Sequence, residues 1–266
     1  MSKIFVFDMD GTILDDTSKI IPQTIEALKE IKTKGHMTMI ATGRPFVDIV
    51  RDLDEEWFDF IIANNGGYFY DCRTKKFYYD KELPHKFFDI VVKVGKQYNC
   101  MFAAHVEKRA YRASLMDVPI DMSDGPYEEW MKFDLDTIES VSNNISKEKI
   151  LQLSLRGTTE IINKIIPIFK QYESEINFRI ANEVYLDVNP KGVSKLGGIK
   201  NVLKLIGRNL DDVISFGDSG NDLDMLSGSG LGICMGNGNQ MAKDAANEVI
   251  GSNNSTAIAK RIMELI

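Results

Sequence analysis

The sequence has little that would tie it to an oxidising compartment or to a metal cluster built on sulfur and imidazole. Three cysteines, Cys72, Cys100 and Cys234, are scattered over 266 residues. Their odd number and wide spacing fit neither a disulfide framework nor a zinc site, and point to buried or incidental thiols in a reducing compartment. The three histidines, His36, His85 and His105, also lack ligand spacing, so catalysis is not expected of them. No apolar run is long enough to span a bilayer, and the N-terminal residues enter a strand pattern with no signal-peptide core. Positive charge is not in excess either. The formal net charge of -7 argues against non-specific binding to nucleic acid or an anionic membrane. Internal repeats and low-complexity linkers are absent. These absences lead us to expect a soluble cytoplasmic protein, a monomer or weak homodimer, with small molecules as partners.

What is present is an ordinary globular composition, 44% hydrophobic and 27% charged, in a length that suits one large or two modest domains. Ile4-Phe5-Val6-Phe7 is a short apolar run, the pattern of a strand buried on both faces in a parallel sheet. It ends in Asp8-Met9-Asp10-Gly11-Thr12. Two acids one residue apart can be a solvated turn or part of a site, since the carboxyl edge of an open α/β sheet is where ligands bind. A further strand-end acid brought beside them would be costly unless a cation held the group together.

Strands and helices alternate from there. Ile25, Leu28 and Ile31 mark a helix up to Gly35; Met37 to Ala41 is a strand, followed by Thr42-Gly43-Arg44-Pro45 and a helix. Thr42 either caps that helix or, with the Gly43 amide, holds a phosphate at its N-terminus. Asp59 to Ala63 is a third strand; it leads through Asn64-Asn65-Gly66-Gly67 into an aromatic hairpin, Tyr68 to Tyr70 and Phe77 to Tyr79. From Glu82 the pattern changes. The spacing predicts a helix over 84–98, strands over 101–105 and 109–114, no period over 115–136, a strand over 149–155, a helix over 160–172, and a hairpin over 176–188 around Ala181-Asn182-Glu183. Helices mixed with antiparallel pairs suggest an inserted α+β module, residues 82–189, in a doubly wound α/β core made of residues 1–81 and 190–266.

The alternation then resumes. A helix carries Ile199, Val202, Leu203 and Ile206; a strand, Val213 to Phe216, ends in Gly217-Asp218-Ser219-Gly220-Asn221-Asp222; a last strand runs from Leu231 to Cys234, with helices over 240–246 and 256–266. Asp8, Asp10, Thr42, Asp218 and Asp222 therefore share one edge of one sheet, with Lys195 available from a loop. Hard oxygen ligands around an open site suit Mg²⁺, and phosphoryl transfer is the chemistry that a metal, a lysine, a hydroxyl and backbone amides together support.

In order, Asp8-Met9-Asp10-Gly11-Thr12, Thr42-Gly43-Arg44, Lys195 and Gly217-Asp218-Ser219-Gly220-Asn221-Asp222 resemble the four motifs of the haloacid dehalogenase (HAD) superfamily. The insert's position, with Asn65-Gly66 before it and Met235-Gly236-Asn237 near the end, is similar to the Cof-type (subclass IIB) sugar phosphatases. The resemblance implies a Rossmann-like core with a C2-type cap that acts as a lid and sets specificity. It implies a Mg²⁺-dependent phosphatase of small phosphorylated metabolites with Asp8 as nucleophile and Asp10 as acid and base. Thr42 and Lys195 would act on the phosphoryl group; Met9, Gly43, Arg44 and Asn221 would be further phosphate contacts, Arg44 being equally compatible with a solvated helix end. Asp8, Asp10 through its carbonyl, Asp218 and Asp222 would hold the metal, Asp222 directly or from behind. Leu196 stands where the family often has glycine, Asn65-Gly66-Gly67 where it has Asn-Gly-Ala, and Lys191 is a nearby competitor for the role of Lys195. A phosphomutase of the phosphomannomutase type and a non-catalytic metabolite-binding protein are the alternatives.

Overall fold

The hydrophobic run of β1 (Ile4–Phe7) is buried at every position, and alternate side chains of a strand point to opposite faces. In the computed structural model, which describes residues 2–79, 81–107, 109–116, 133–181 and 183–266, Ile4 and Val6 enter one core cluster with Ile199, Val202 and Met225. The neighbouring Phe7 stacks on Phe216 with ring centroids 4.9 Å apart. This double burial fixes β1 inside the sheet. Contacts divide the chain into two units, residues 1–80 with 194–266, and residues 81–193.

The first unit starts with β1 and runs through α1 (Pro22–Thr33), β2 (Met37–Ala41), α2 (Phe46–Asp52) and β3 (Phe60–Ala63) into the hairpin β4 (Tyr68–Asp71) and β5 (Lys76–Tyr79). The second unit holds α3 (Lys86–Gln97), β6 (Met101–His105), β7 (Ala110–Ser114), α4 (Ile138–Ile145), β8 (Gln152–Arg156), α5 (Thr159–Lys170), β9 (Ile176–Ala181) and β10 (Tyr185–Pro190). The chain then returns to the first unit with α6 (Lys195–Ile206), β11 (Val213–Gly217), α7 (Leu223–Gly228), β12 (Leu231–Cys234), α8 (Gln240–Ala245), β13 (Glu248–Val249) and α9 (Ala257–Leu265).

The sheet of the first unit has the order β13-β12-β11-β1-β2-β3-β4-β5. All pairs from β13 to β3 are parallel, and β4 and β5 add an antiparallel edge. The chain leaves β1 toward β2 on one side and returns as β11 on the other. The strand order thus reverses at β1, the switch point at whose carboxyl edge open α/β sheets bind their ligands. This is the doubly wound α/β core expected from the sequence. The aromatic hairpin is packing: Phe69 stacks on Tyr78 with centroids 4.7 Å apart, and the Tyr68 hydroxyl accepts from the Phe46 amide at 2.7 Å.

The sheet of the second unit is antiparallel throughout, in the order β7-β6-β8-β10-β9. Its apolar residues, among them Phe102, Leu153, Leu155 and Leu186, form one cluster with Phe87, Val91, Val141 and Phe169 of the helices. Alternate residues carry polar groups. Ser154 donates to Asp187 at 2.7 Å, and Asn189 Nδ2 donates to the side-chain oxygen Oε1 of Gln152 at 3.0 Å. β8 starts at Gln152, later than the apolar run Ile150-Leu151 suggests. Of the stretch expected to lack a period, residues 117–132 lie outside the described residues, as does Asn182. Among the described residues no helix is long and apolar enough to cross a membrane.

Candidate active site

Backbone geometry at the end of β1 decides where the acids go. The Asp8 amide donates to the Phe216 carbonyl at 3.0 Å, so β11 brings its own end alongside. Gly11 turns the chain at φ +77°, and a Cβ there would lie 2.6 Å from Asp218 Oδ2. Only glycine suits that close approach with a positive φ. Thr12 then donates its hydroxyl to Asp218 Oδ1 at 2.8 Å, tying the loop after β1 to the loop after β11.

Lys195 opens α6 behind its N-cap, Ser194, whose hydroxyl accepts from the Gly197 amide at 3.1 Å. The turn at Asn64–Gly66 backs this helix end: at Gly66, φ +98°, a Cβ would come within 2.0 Å of the Ser194 carbonyl oxygen. The Lys195 side chain has no exposure, and its Nζ donates to Asp8 Oδ1 at 2.5 Å and to Asp222 Oδ1 at 2.6 Å. Asp222, also without exposure, accepts at its other oxygen from the amides of Asp218 (3.0 Å) and Ser219 (2.9 Å). Lys191, by contrast, is exposed and donates to the Glu173 carbonyl.

Carboxylate oxygens of Asp8, Asp218 and Asp222 lie within 4.8 Å of one another, all three residues buried. Burial, and then the charge of Asp222, push the Asp8 carboxyl well above the usual range. The same causes push Asp218 up to about 7. Burial works against the Lys195 ammonium, but Asp222 and Asp8 outweigh it and hold its proton more firmly than usual. Three hard-oxygen donors around one point, with a repulsion that a single lysine only partly offsets, fit a small divalent cation.

Asp10 does not join that cluster through its side chain. Its two oxygens accept from Arg44, Nε to Oδ2 at 2.8 Å and Nη2 to Oδ1 at 2.5 Å, while Arg44 Nη1 donates to Asp52 at 2.6 Å. The expected phosphate contact of Arg44 therefore meets a guanidinium already facing two carboxylates. Thr42 is buried at the end of β2 and accepts the Arg44 amide at 3.2 Å. Asn221 donates to Asn65 at 3.2 Å and accepts from Ser219 at 2.6 Å. Met9 is buried, and its carbonyl accepts from Thr12 and Leu14.

Thr12 and Asn237 stand in the quoted motifs without a role of their own and Asp52 stands in none; Asn237 Nδ2 donates to the Gly11 carbonyl at 2.8 Å. A hydroxyl four residues after an acid, or an acid at a helix end, is too common a feature to single out without coordinates.

Comparison with known proteins places these observations. A curated relative, the 5-amino-6-(5-phospho-D-ribitylamino)uracil phosphatase YcsE of Bacillus subtilis, is 27% identical over 98% of this chain and 94% of its own. The pyridoxal phosphate phosphatase YbhA of Escherichia coli is 25% identical over 98% of this chain and 97% of its own. A solved HAD subclass IIB sugar phosphatase superposes with a TM-score of 0.83 at 25% identity, covering 99% of both chains. A family profile for haloacid dehalogenase-like hydrolases matches residues 5–262. With the motif residues gathered at one sheet edge and the profile running nearly end to end, the chain belongs to the haloacid dehalogenase-like hydrolase family.

Proposed function

We propose that the chain is a Mg²⁺-dependent phosphatase that hydrolyses small phosphorylated metabolites, sugar phosphates or similar monoesters, through an aspartyl phosphate on Asp8. As an enzyme it is a phosphoric monoester hydrolase, the class common to the family and its named relatives. The observation that carries the finer reading is the buried Lys195 joining Asp8 and Asp222 next to Asp218.

In this reading an oxygen of Asp8 attacks phosphorus as the bond to the leaving oxygen breaks, and Asp10, protonated, gives its proton to that oxygen. Asp10, now a carboxylate, takes a proton from the water that attacks the acyl phosphate, which releases inorganic phosphate and restores Asp8. Lys195 offsets charge on Asp8 and on the phosphoryl oxygens. The Thr42 hydroxyl, the amides of Met9 and Gly43, and Asn221 hold those oxygens in place. Arg44 is left out of this set because its Nε, Nη1 and Nη2 all face Asp10 and Asp52. Asp8, Asp218 and the Asp10 carbonyl would hold Mg²⁺, with Asp222 orienting Lys195 and the β11 loop. Bound there, the ion supplies positive charge against the phosphoryl oxygens.

The relatives are named for chemically unlike monoesters, so the phosphate is what they share. We assign substrate selection to residues 82–189. Purified protein with MgCl₂ should release phosphate from an aryl phosphate and from several members of a panel of sugar, nucleotide and cofactor phosphates. Inactivity toward every monoester would overturn the reading, and formation of a bisphosphorylated sugar would assign transfer to a second hydroxyl instead.

A further inference from the structure

Asp10 leaves β1 on a loop and keeps 37% of its side chain exposed. A short carboxylate in that position has several staggered rotamers open to it. Both of its oxygens are nevertheless fixed, one by Nε and one by Nη2 of Arg44, a fork that sets the carboxylate plane as well as its position. Arg44 is itself a long side chain with much rotamer freedom to lose. Its third nitrogen, Nη1, donates to Asp52 Oδ2 at 2.6 Å. Asp52 is the last residue of α2, and Arg51 pins it in turn, Nε to Oδ1 at 2.8 Å and Nη2 to Oδ2 at 3.0 Å. An alternating chain of charges thus links the end of a helix to an acid on the neighbouring loop.

We infer that Asp52 is a positioning residue for Asp10, acting through Arg44 so that the carboxyl of Asp10 is aimed at the leaving-group oxygen. The inference rests on the reading of Asp10 as the proton donor. It assigns no contact between Asp52 and substrate. Exposed and half-exposed ion pairs add little to stability, so a purely structural role would leave the chemistry of the leaving group untouched. An aiming role is felt where proton delivery matters most, in esters of poorly acidic alcohols. Nitrophenolate departs without that help.

The test is kcat/KM across monoesters whose leaving groups run from nitrophenol to simple alkyl alcohols, a quantity that reports on the steps up to departure of the alcohol. It is measured on the full-length protein and on the variants Asp52→Asn, Asp52→Glu, Arg44→Lys and Asp10→Asn. Asp52→Asn should lose about tenfold on the alkyl esters, a fraction of what a general acid contributes, with a change of about twofold or less on nitrophenyl phosphate. Asp52→Glu, which keeps the carboxylate, should recover most of the loss, and Arg44→Lys, which loses the fork, should behave like Asp52→Asn. Asp10→Asn should show the same steepening more strongly. A steep line for Asp10→Asn beside an unchanged line for Asp52→Asn would overturn the positioning role alone. An unchanged line for Asp10→Asn would overturn both that role and the acid assignment on which it stands.

Discussion

The ammonium of Lys195 sits 2.5 Å from Asp8 Oδ1 with no solvent exposure, and the two residues are 187 positions apart in the chain. A buried charge of this kind is kept only by partners of opposite sign. Removing it leaves Asp8 and Asp222 facing each other without compensation. Lys195→Met should destabilise the metal-free protein by about 3–5 kcal/mol, the usual cost of breaking a buried pair. Phosphatase turnover should fall at least about a hundredfold, as for loss of an electrostatic stabiliser. Chemical denaturation and steady-state kinetics on the same preparation check both.

Burial and the charge of Asp222 raise the carboxyls of Asp8 and Asp218, and a divalent cation would relieve that repulsion. Mg²⁺ should raise the melting temperature. At a hundredfold excess over the dissociation constant the linkage amounts to about 2.7 kcal/mol, several degrees for a chain of this length. Asp218→Asn should abolish the shift while melting no lower than the metal-free wild type. A chelator should stop turnover, and added Mg²⁺ should restore it.

Two glycines separate backbone strain from steric contact. Gly35 has φ +74° and open space where a Cβ would lie, whereas Gly66 has φ +98° and the Ser194 carbonyl 2.0 Å from that position. Gly35→Ala should cost about 1 kcal/mol, the price of a left-handed residue. Gly66→Ala should cost at least about 2 kcal/mol. It should also lower activity, because Lys195 follows the displaced Ser194. Melting curves for the two variants, with kcat for each, distinguish the effects.

His105 gives the second unit a pH dependence of its own. Burial, and then the nearby charge of Arg112, lower its imidazole to about 3. The unfolded chain binds a proton at this residue below about pH 6.5 while the folded chain does not. Stability is therefore intact above that pH and falls as the solution is acidified toward pH 3, by up to about 4–5 kcal/mol at the end of the window. His105→Gln should flatten that part of the profile, as read by urea midpoints between pH 4 and 7.

Much of the core was legible because two signals coincided: uniformly apolar strands such as Ile4–Phe7, and acids or hydroxyls at the strand ends. The sequence also placed Asp8, Asp10, Thr42, Asp218 and Asp222 at one sheet edge with Lys195 on a loop; the structure gathers the carboxylates of Asp8, Asp218 and Asp222 around Lys195, which is the first residue of α6 and not part of a loop. Short elements escaped. α4 makes two turns behind its Thr137 cap, α7 follows directly on Asp222, and β13 has two residues; none offers enough periods to read. The Asp10–Arg44–Asp52 chain escaped for another reason. It depends on where a helix end falls relative to a loop 42 positions earlier, which hydrophobic spacing does not encode.

The central claim is that Asp8 carries the phosphoryl group. Protein turning over substrate with Mg²⁺ can be quenched in acid and reduced with borohydride, which converts an acyl phosphate to an alcohol, and the N-terminal peptide can then be sequenced by mass spectrometry. The account predicts homoserine at position 8, dependent on substrate and absent from Asp8→Asn, which should fold normally and hydrolyse nothing. An unmodified Asp8 during turnover, or a phosphoryl group on another side chain, would contradict it.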